Sequence, residues 1–198
     1  MDLLGLFLGL GKPESMKICI GVLSTGTIKS KTALTLMQTV KETPHEVVPV
    51  FQQGNIIDGS REKVAEFALK NNCTHLFFVD SDMYFNGSTL SRLLALDKDI
   101  VGAMYNFRTL PIQTTAKLFE DFIPNEPFKV YGLGMGCILI KTEVFKKLKK
   151  PYFLITRDEH GDAIHTEDVY FSEKAREAGI DTWCDPSLEV KHIGDYLY

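Results

Sequence analysis

The chain has 198 residues, with 22 Lys and Arg against 26 Asp and Glu, a formal charge of −4 at pH 7. With 44% hydrophobic and 24% charged residues it has the makeup of one ordinary globular domain, which excludes the disordered and fibrous classes. The acidic balance also disfavours a protein that grips nucleic acid through its phosphates, because that requires a basic face.

In chain order, residues 3–10 are apolar apart from glycines, yet far short of the roughly 20 that span a bilayer. They lack a basic leader and a small-residue cleavage site, so neither a transmembrane segment nor a signal peptide is expected. Residues 1–15 read as a peripheral segment, followed by one domain over 16–198. Residues 17–23 read as a buried strand and Ser24-Thr25-Gly26-Thr27 as the turn after it. A helix over 32–42 stops before Pro44, residues 46–51 form a second strand, and 52–59 a polar loop. Ser60 is expected to cap the next helix, which places Val64, Phe67 and Ala68 at helical spacing. A strand over 75–79, a helix over 88–96 and a strand over 99–104 continue the alternation. Such repetition predicts a three-layer, Rossmann-like α/β domain with a mostly parallel central sheet.

After Tyr105 the texture changes. Residues 106–135 hold Pro111, Pro124 and Pro127 and read as loops and short strands. A strand over 137–140 and a short basic helix over 142–150 follow, the lysines reading as a solvated face. A polar stretch over 156–166 precedes a helix over 167–178, whose Phe171, Ala175 and Ala178 form one stripe and which Gly179 stops. This part is expected to be of mixed architecture. Cys19, Cys73, Cys137 and Cys184 show neither zinc nor redox spacing, so reduced thiols and a cytoplasmic location are expected.

Two glycine motifs fail on their spacing. Gly21 and Gly26 match the first half of a P-loop, but Thr27-Ile28 replaces the Lys and Ser/Thr that would meet phosphate and magnesium. Gly132, Gly134 and Gly136 precede a strand rather than a helix, so they are no dinucleotide fingerprint, although a close backbone approach is expected there. The informative tripeptide is Asp80-Ser81-Asp82, directly after an apolar strand. Acids at i and i+2 of an extended chain face one side, and open α/β sheets bind ligands at the carboxyl ends of their strands. Two converging carboxylates call for a cation, and oxygen ligands suit Mg²⁺ or Mn²⁺ completed by substrate phosphates. Taken alone, the tripeptide reads about equally well as a turn. Glu167 and Asp168 open a helix, where acids often only complement its dipole. His192, read alone, is an ordinary surface or core histidine.

The ordered set points further. The first strand with its polar turn, Ser60-Arg61, Asp80-Ser81-Asp82, residues 101–108, Gly134 to Cys137, Glu167-Asp168 and the ending from Pro186 to His192 together resemble the GT-A glycosyltransferases. The likeness is to small family-2-like members and covers about residues 17–194. It implies a metal-dependent enzyme that transfers a sugar from a UDP- or GDP-linked donor to an acceptor hydroxyl on a glycan, lipid or protein. Asp80, Asp82 and His192 are then the expected ligands of Mn²⁺ or Mg²⁺. Ser24, Thr25, Gly26, Thr27, Arg61, Asp80, Ser81, Tyr105, Arg108 and Gly136 are expected at the nucleotide-sugar donor. Asp168 is expected as general base with Glu167 beside it. Glu62 departs from the Asn that often follows the helix-opening Arg. A sugar-phosphate nucleotidyltransferase and a non-catalytic nucleotide-sugar-binding module are the alternative readings; the first lacks its usual Gly-rich basic loop here.

Overall fold

The computed structural model describes residues 15–194 except Leu110 and Ile112, so the expected peripheral segment lies outside the described residues but for Ser15. The first half alternates strand and helix: β1 (Lys17–Ser24), α1 (Ser30–Glu42), β2 (Glu46–Gln53), α2 (Ile57–Lys70) and β3 (His75–Asp80). A two-residue strand β4 (Met83–Tyr84), α3 (Thr89–Ala95) and β5 (Ile100–Ala103) follow. Beyond the long connection come β6 (Phe128–Val130), β7 (Cys137–Lys141), α4 (Thr142–Lys147), β8 (Thr156–Arg157) and β9 (Ala163–His165). The chain closes with α5 (Glu167–Glu177), β10 (Thr182–Asp185) and β11 (Lys191–His192).

Seven strands form the central sheet in the order β2-β1-β3-β7-β5-β10-β6. Pairings β1–β2, β1–β3 and β5–β10 are parallel, whereas β3–β7, β5–β7 and β6–β10 are antiparallel. The sheet is therefore mixed, not mostly parallel as the sequence pattern suggests. The cause is β7, which returns after the long connection and inserts between β3 and β5 against their direction. A β-branched run shows that it is a buried strand but not which neighbours it will find.

Alternation along β1 assigns the two faces. Ile18, Ile20 and Val22 pack with Leu36 of α1 and Leu90 and Leu93 of α3. Cys19 and Leu23 pack with Val64, Ala65 and Ala68 of α2, Phe145 of α4 and Phe171 of α5. Helices on both faces of one sheet make three layers. Gly21 permits the closest contact in this arrangement, since a Cβ there would stand 2.4 Å from Val64 Cγ1 of α2.

Several boundaries differ from the sequence reading, α4 for one ending at Lys147 rather than at residue 150. Helix α2 begins at Ile57, so Ser60 is buried within its first turns rather than capping it. Asp58 supports that start: its side chain accepts the Gly59 N–H at 2.8 Å and the Ile155 N–H at 3.3 Å. The polar stretch before α5 folds as the β8–β9 hairpin. Among the described residues no helix is long and apolar enough to cross a membrane. All four cysteines are free and buried.

Candidate functional site

The carboxyl ends of β1 and β3 are held together by backbone bonds on both sides of the acidic tripeptide. Ser81 N–H donates to Leu23 C=O at 3.1 Å, Lys29 N–H to Ser81 C=O at 2.9 Å, and Asp80 N–H to Gly136 C=O at 3.1 Å. The turn after β1 is closed by its own side chain: Ser24 hydroxyl donates to Thr27 C=O at 2.6 Å and accepts the Gly26 N–H at 2.9 Å. Gly26 takes φ +128°, a conformation that excludes nearly every side chain.

His192 reaches the tripeptide through a separate two-stranded ribbon. β11 pairs antiparallel with β4, placing His192 opposite Met83, and Ile193 N–H donates to Asp82 C=O at 2.8 Å. Its Nε2 stands 3.2 Å from Asp82 Oδ1, and its Nδ1 lies 3.3 Å from Asn106 C=O. Nδ1 is thus turned to the Asn106 carbonyl and Nε2 is the nitrogen turned to Asp82. The other carboxylate oxygen, Asp82 Oδ2, pairs with Arg108 Nη1 at 3.0 Å. Burial opposes ionisation of Asp82, but the hydrogen bond and charge of His192 together with the Arg108 guanidinium outweigh it and hold the carboxyl below its ordinary range.

Asp80 faces a different partner. Its Oδ1 takes a 3.1 Å contact from Arg61 Nη2, and Arg61 Nε donates to Glu167 Oε1 at 3.0 Å. The Arg61 guanidinium is 3% exposed and lies over the Phe78 ring, 5.3 Å from its centroid. Burial works against its charge, but Asp80 and Glu167 prevail and raise its pKa. For Glu167 burial dominates and moves the carboxyl up, with Arg61 pulling the other way. Tyr105 completes the floor: its hydroxyl oxygen accepts the Gly136 N–H at 2.8 Å, and a Cβ on Gly136 would stand 2.6 Å from that oxygen and 3.0 Å from Asp80 Oδ2. The expected close approach at the glycines is thus an approach of side chains of the protein itself. Burial and the Asp80 charge drive the Tyr105 pKa well above its ordinary value.

A cavity of about 490 Å³ opens at this end of the sheet, lined by Ser24, Thr25 and Thr27, by Asp80, Ser81 and Asp82, and by Arg108 and His192. The remaining lining comes from Leu23, Lys29, Gly54, Ile57 and Ser60, of which Lys29, Gly54 and Ile57 escape the sequence reading. Gly54 carried a signal: a lone glycine at a strand end, where its N–H donates to Ser24 C=O at 3.1 Å and a Cβ would meet Ser60 Oγ at 2.5 Å. Gly26, Arg61, Tyr105, Gly136, Glu167 and Asp168 do not line this cavity. Arg61 in particular is paired with two carboxylates. Asp168 stands at the start of α5, half-buried, its Oδ1 taking the Thr166 hydroxyl and the Val169 N–H at 2.8 Å. Among the described residues no three His, Cys, Asp or Glu side chains gather around one point. Asp82 and His192 are the pair that converges, with Asp80 turned to Arg61.

A second cavity, an apolar groove of about 470 Å³ between α1 and strands β1 and β2, has Lys41 as its one charged lining residue and offers no comparable chemistry.

No family model and no curated protein matches the chain. Among solved structures, A197 from STIV aligns with 24% identity over 91% of this chain and 87% of its own, with a TM-score of 0.63. Two structures of HddC from Yersinia pseudotuberculosis, one of them complexed with GMP-PN, align over 65% of this chain and 78% of theirs at 10% and 9% identity. Their TM-scores of 0.40 and 0.38 carry no weight. The likeness to A197 bears on the fold alone, which in this chain is a mixed α/β domain whose seven-stranded sheet carries helices on both faces.

Proposed function

We propose that the protein is a GT-A-type, metal-dependent glycosyltransferase that moves a sugar from a UDP- or GDP-linked donor to an acceptor hydroxyl on a glycan, lipid or protein. The observation that carries this reading is the meeting of Asp82 and His192, from distant parts of the chain, in one polar cavity at the carboxyl ends of β1 and β3.

The donor set fits a divalent cation. One carboxylate and one imidazole, the latter with its second nitrogen committed to a carbonyl, suit Mn²⁺ better than Mg²⁺ and leave positions for water and phosphate. The Arg108 guanidinium already sets positive charge against Asp82. Asp82 and His192 would hold the ion, with Asp80 behind them. A bound cation of this kind neutralises charge growing on the departing diphosphate. Ser24, Thr25, Thr27 and Ser81 line the cavity, and this polar wall would receive the nucleotide end of the donor. Asp168 takes the proton from the acceptor hydroxyl while that oxygen attacks the anomeric carbon, and the bond to the diphosphate breaks with its electron pair leaving on the diphosphate. Glu167, paired with Arg61, fixes the start of α5 and therefore the place of Asp168.

A screen of UDP- and GDP-sugars with Mn²⁺, following melting temperature and nucleotide release together, tests this. One donor is expected to raise the melting temperature and to be consumed, and Asp82→Ala to lower turnover by about 10²-fold or more. Turnover that persists in EDTA and survives Asp82→Ala overturns the reading, and pyrophosphate release from an NTP and a sugar phosphate would replace it with nucleotidyl transfer.

A further inference from the structure

Arg108 stands where a bound cation would have to compete with it. Its Nη1 lies 3.0 Å from Asp82 Oδ2, on the carboxylate oxygen that His192 does not touch. The Asp82 side chain is 17% exposed and the Arg108 side chain 51%, so the guanidinium approaches from the solvent side and covers the carboxylate. Its aliphatic stem lies over Gly194, where a Cβ would meet Arg108 Cδ at 3.7 Å, just beyond the strand that carries His192. The same residue lines the cavity together with Ser24, Thr25 and Thr27. An exposed Arg on an irregular segment is cheap to move, whereas Asp82 and His192 are pinned by the β4–β11 ribbon.

We propose that Arg108 is an exchangeable counter-charge: it neutralises Asp82 while no divalent cation is bound, yields the carboxylate when one arrives, and then pairs with the phosphate oxygens of the donor from the same wall of the cavity. This rests on the metal and diphosphate reading above and adds to it a positioning residue with two alternating partners. A guanidinium suits both, since its fork matches carboxylate and phosphate alike. Exchange also avoids leaving either charge uncompensated: Asp82 is never an unpaired half-buried carboxylate, and the arriving diphosphate meets a cation on each side.

The two partners give the exchange a signature of opposite signs. Mn²⁺ binding to the nucleotide-free protein is measured by electron paramagnetic resonance, and binding of UDP and GDP in saturating Mn²⁺ by calorimetry, on wild type, Arg108→Ala and Arg108→Lys. Arg108→Ala is expected to bind Mn²⁺ about threefold to tenfold more tightly, the scale of one partly exposed ion pair, and to bind the better nucleoside diphosphate more weakly by a similar factor. Arg108→Lys restores the competition with Mn²⁺ but only part of the diphosphate affinity, because an ammonium lacks the fork. A merely structural Arg108 would weaken both affinities on removal, and that result, or unchanged Mn²⁺ affinity beside a wild type that binds Mn²⁺, overturns the proposal alone. Failure of wild type and both variants to bind Mn²⁺ overturns the metal reading and the exchange with it.

Discussion

Removing Arg61 would leave the Asp80 and Glu167 carboxylates on either side of a gap with no counter-charge. The guanidinium contacts one at 3.1 Å and the other at 3.0 Å from a nearly sealed position. Breaking such an arrangement costs about 3–5 kcal/mol, because the surviving charges stay desolvated. Arg61→Ala is therefore expected to lose that much stability in urea unfolding, and Arg61→Lys to recover only part, since one ammonium cannot reach both acids as a fork does. An Arg61→Ala protein as stable as wild type would show that the two acids do not need their shared cation. The residue was partly legible beforehand. Arg61 keeps step with Val64, Ala65 and Ala68, all buried, so it stands on the apolar stripe of α2, where a charge survives only if it is paired. The partners were not legible, because Glu167 comes from a helix at the far end of the chain. The acidic tripeptide was legible as a feature of a strand end, because that is local, but not that Asp80 turns to Arg61 while Asp82 meets His192.

Among the elements, β11 had no signal of its own: two residues show no periodicity, and only pairing with β4 makes them a strand. What aims it is the turn after β10. Asp185 is fully buried there, accepting the Ser187 N–H at 3.0 Å, the Ser187 hydroxyl at 2.7 Å and Arg92 Nε of α3 at 2.8 Å. Burial alone would raise its pKa, but the Ser187 and Arg92 bonds and the Arg92 charge outweigh it and hold the carboxyl below its ordinary value. A carboxyl depressed in the folded state stabilises fully above its unfolded pKa, near 4, and gives that up as pH falls through the folded pKa. Asp185→Asn should thus cost roughly 1.5–3 kcal/mol at neutral pH, with the gap to wild type closing below about pH 4. Melting temperatures across that range check it; a gap that stays constant or widens on acidification contradicts the assignment. The early strand–helix alternation was readable because each element there pairs with its near neighbours. Strand β7 was readable as a strand, but its place between β3 and β5 was not, for a pairing partner is a property of two distant segments.

At the scale of the whole molecule, both cores share one sheet, and each encloses thiols. Cys19, Cys73 and Cys184 lie on the face of α2, α4 and α5, and Cys137 on the face of α1 and α3. Burial pushes the Cys19 and Cys184 thiols up to about 12 and raises those of Cys73 and Cys137 as well. Cys19, Cys137 and Cys184 are sealed and cannot be modified without opening the core, whereas Cys73 lines a cavity beside His75 and Lys141. Native protein is expected to react with an aromatic disulfide reagent at Cys19, Cys137 and Cys184 only through unfolding, slower than the denatured chain by roughly 10³-fold or more, with Cys73 the first to react. Rapid loss of more than one thiol under native conditions would reveal a core that opens on its own. The same sheet also dictates an order of assembly during synthesis. Strand β10 fills an interior place between β5 and β6, and the imidazole partner of Asp82 emerges later still. A nascent chain released as far as α5 already exposes Asp80-Ser81-Asp82 but has neither the inner strand β10 nor His192, so the contact between Asp82 and His192 forms only after both distant segments have emerged and paired.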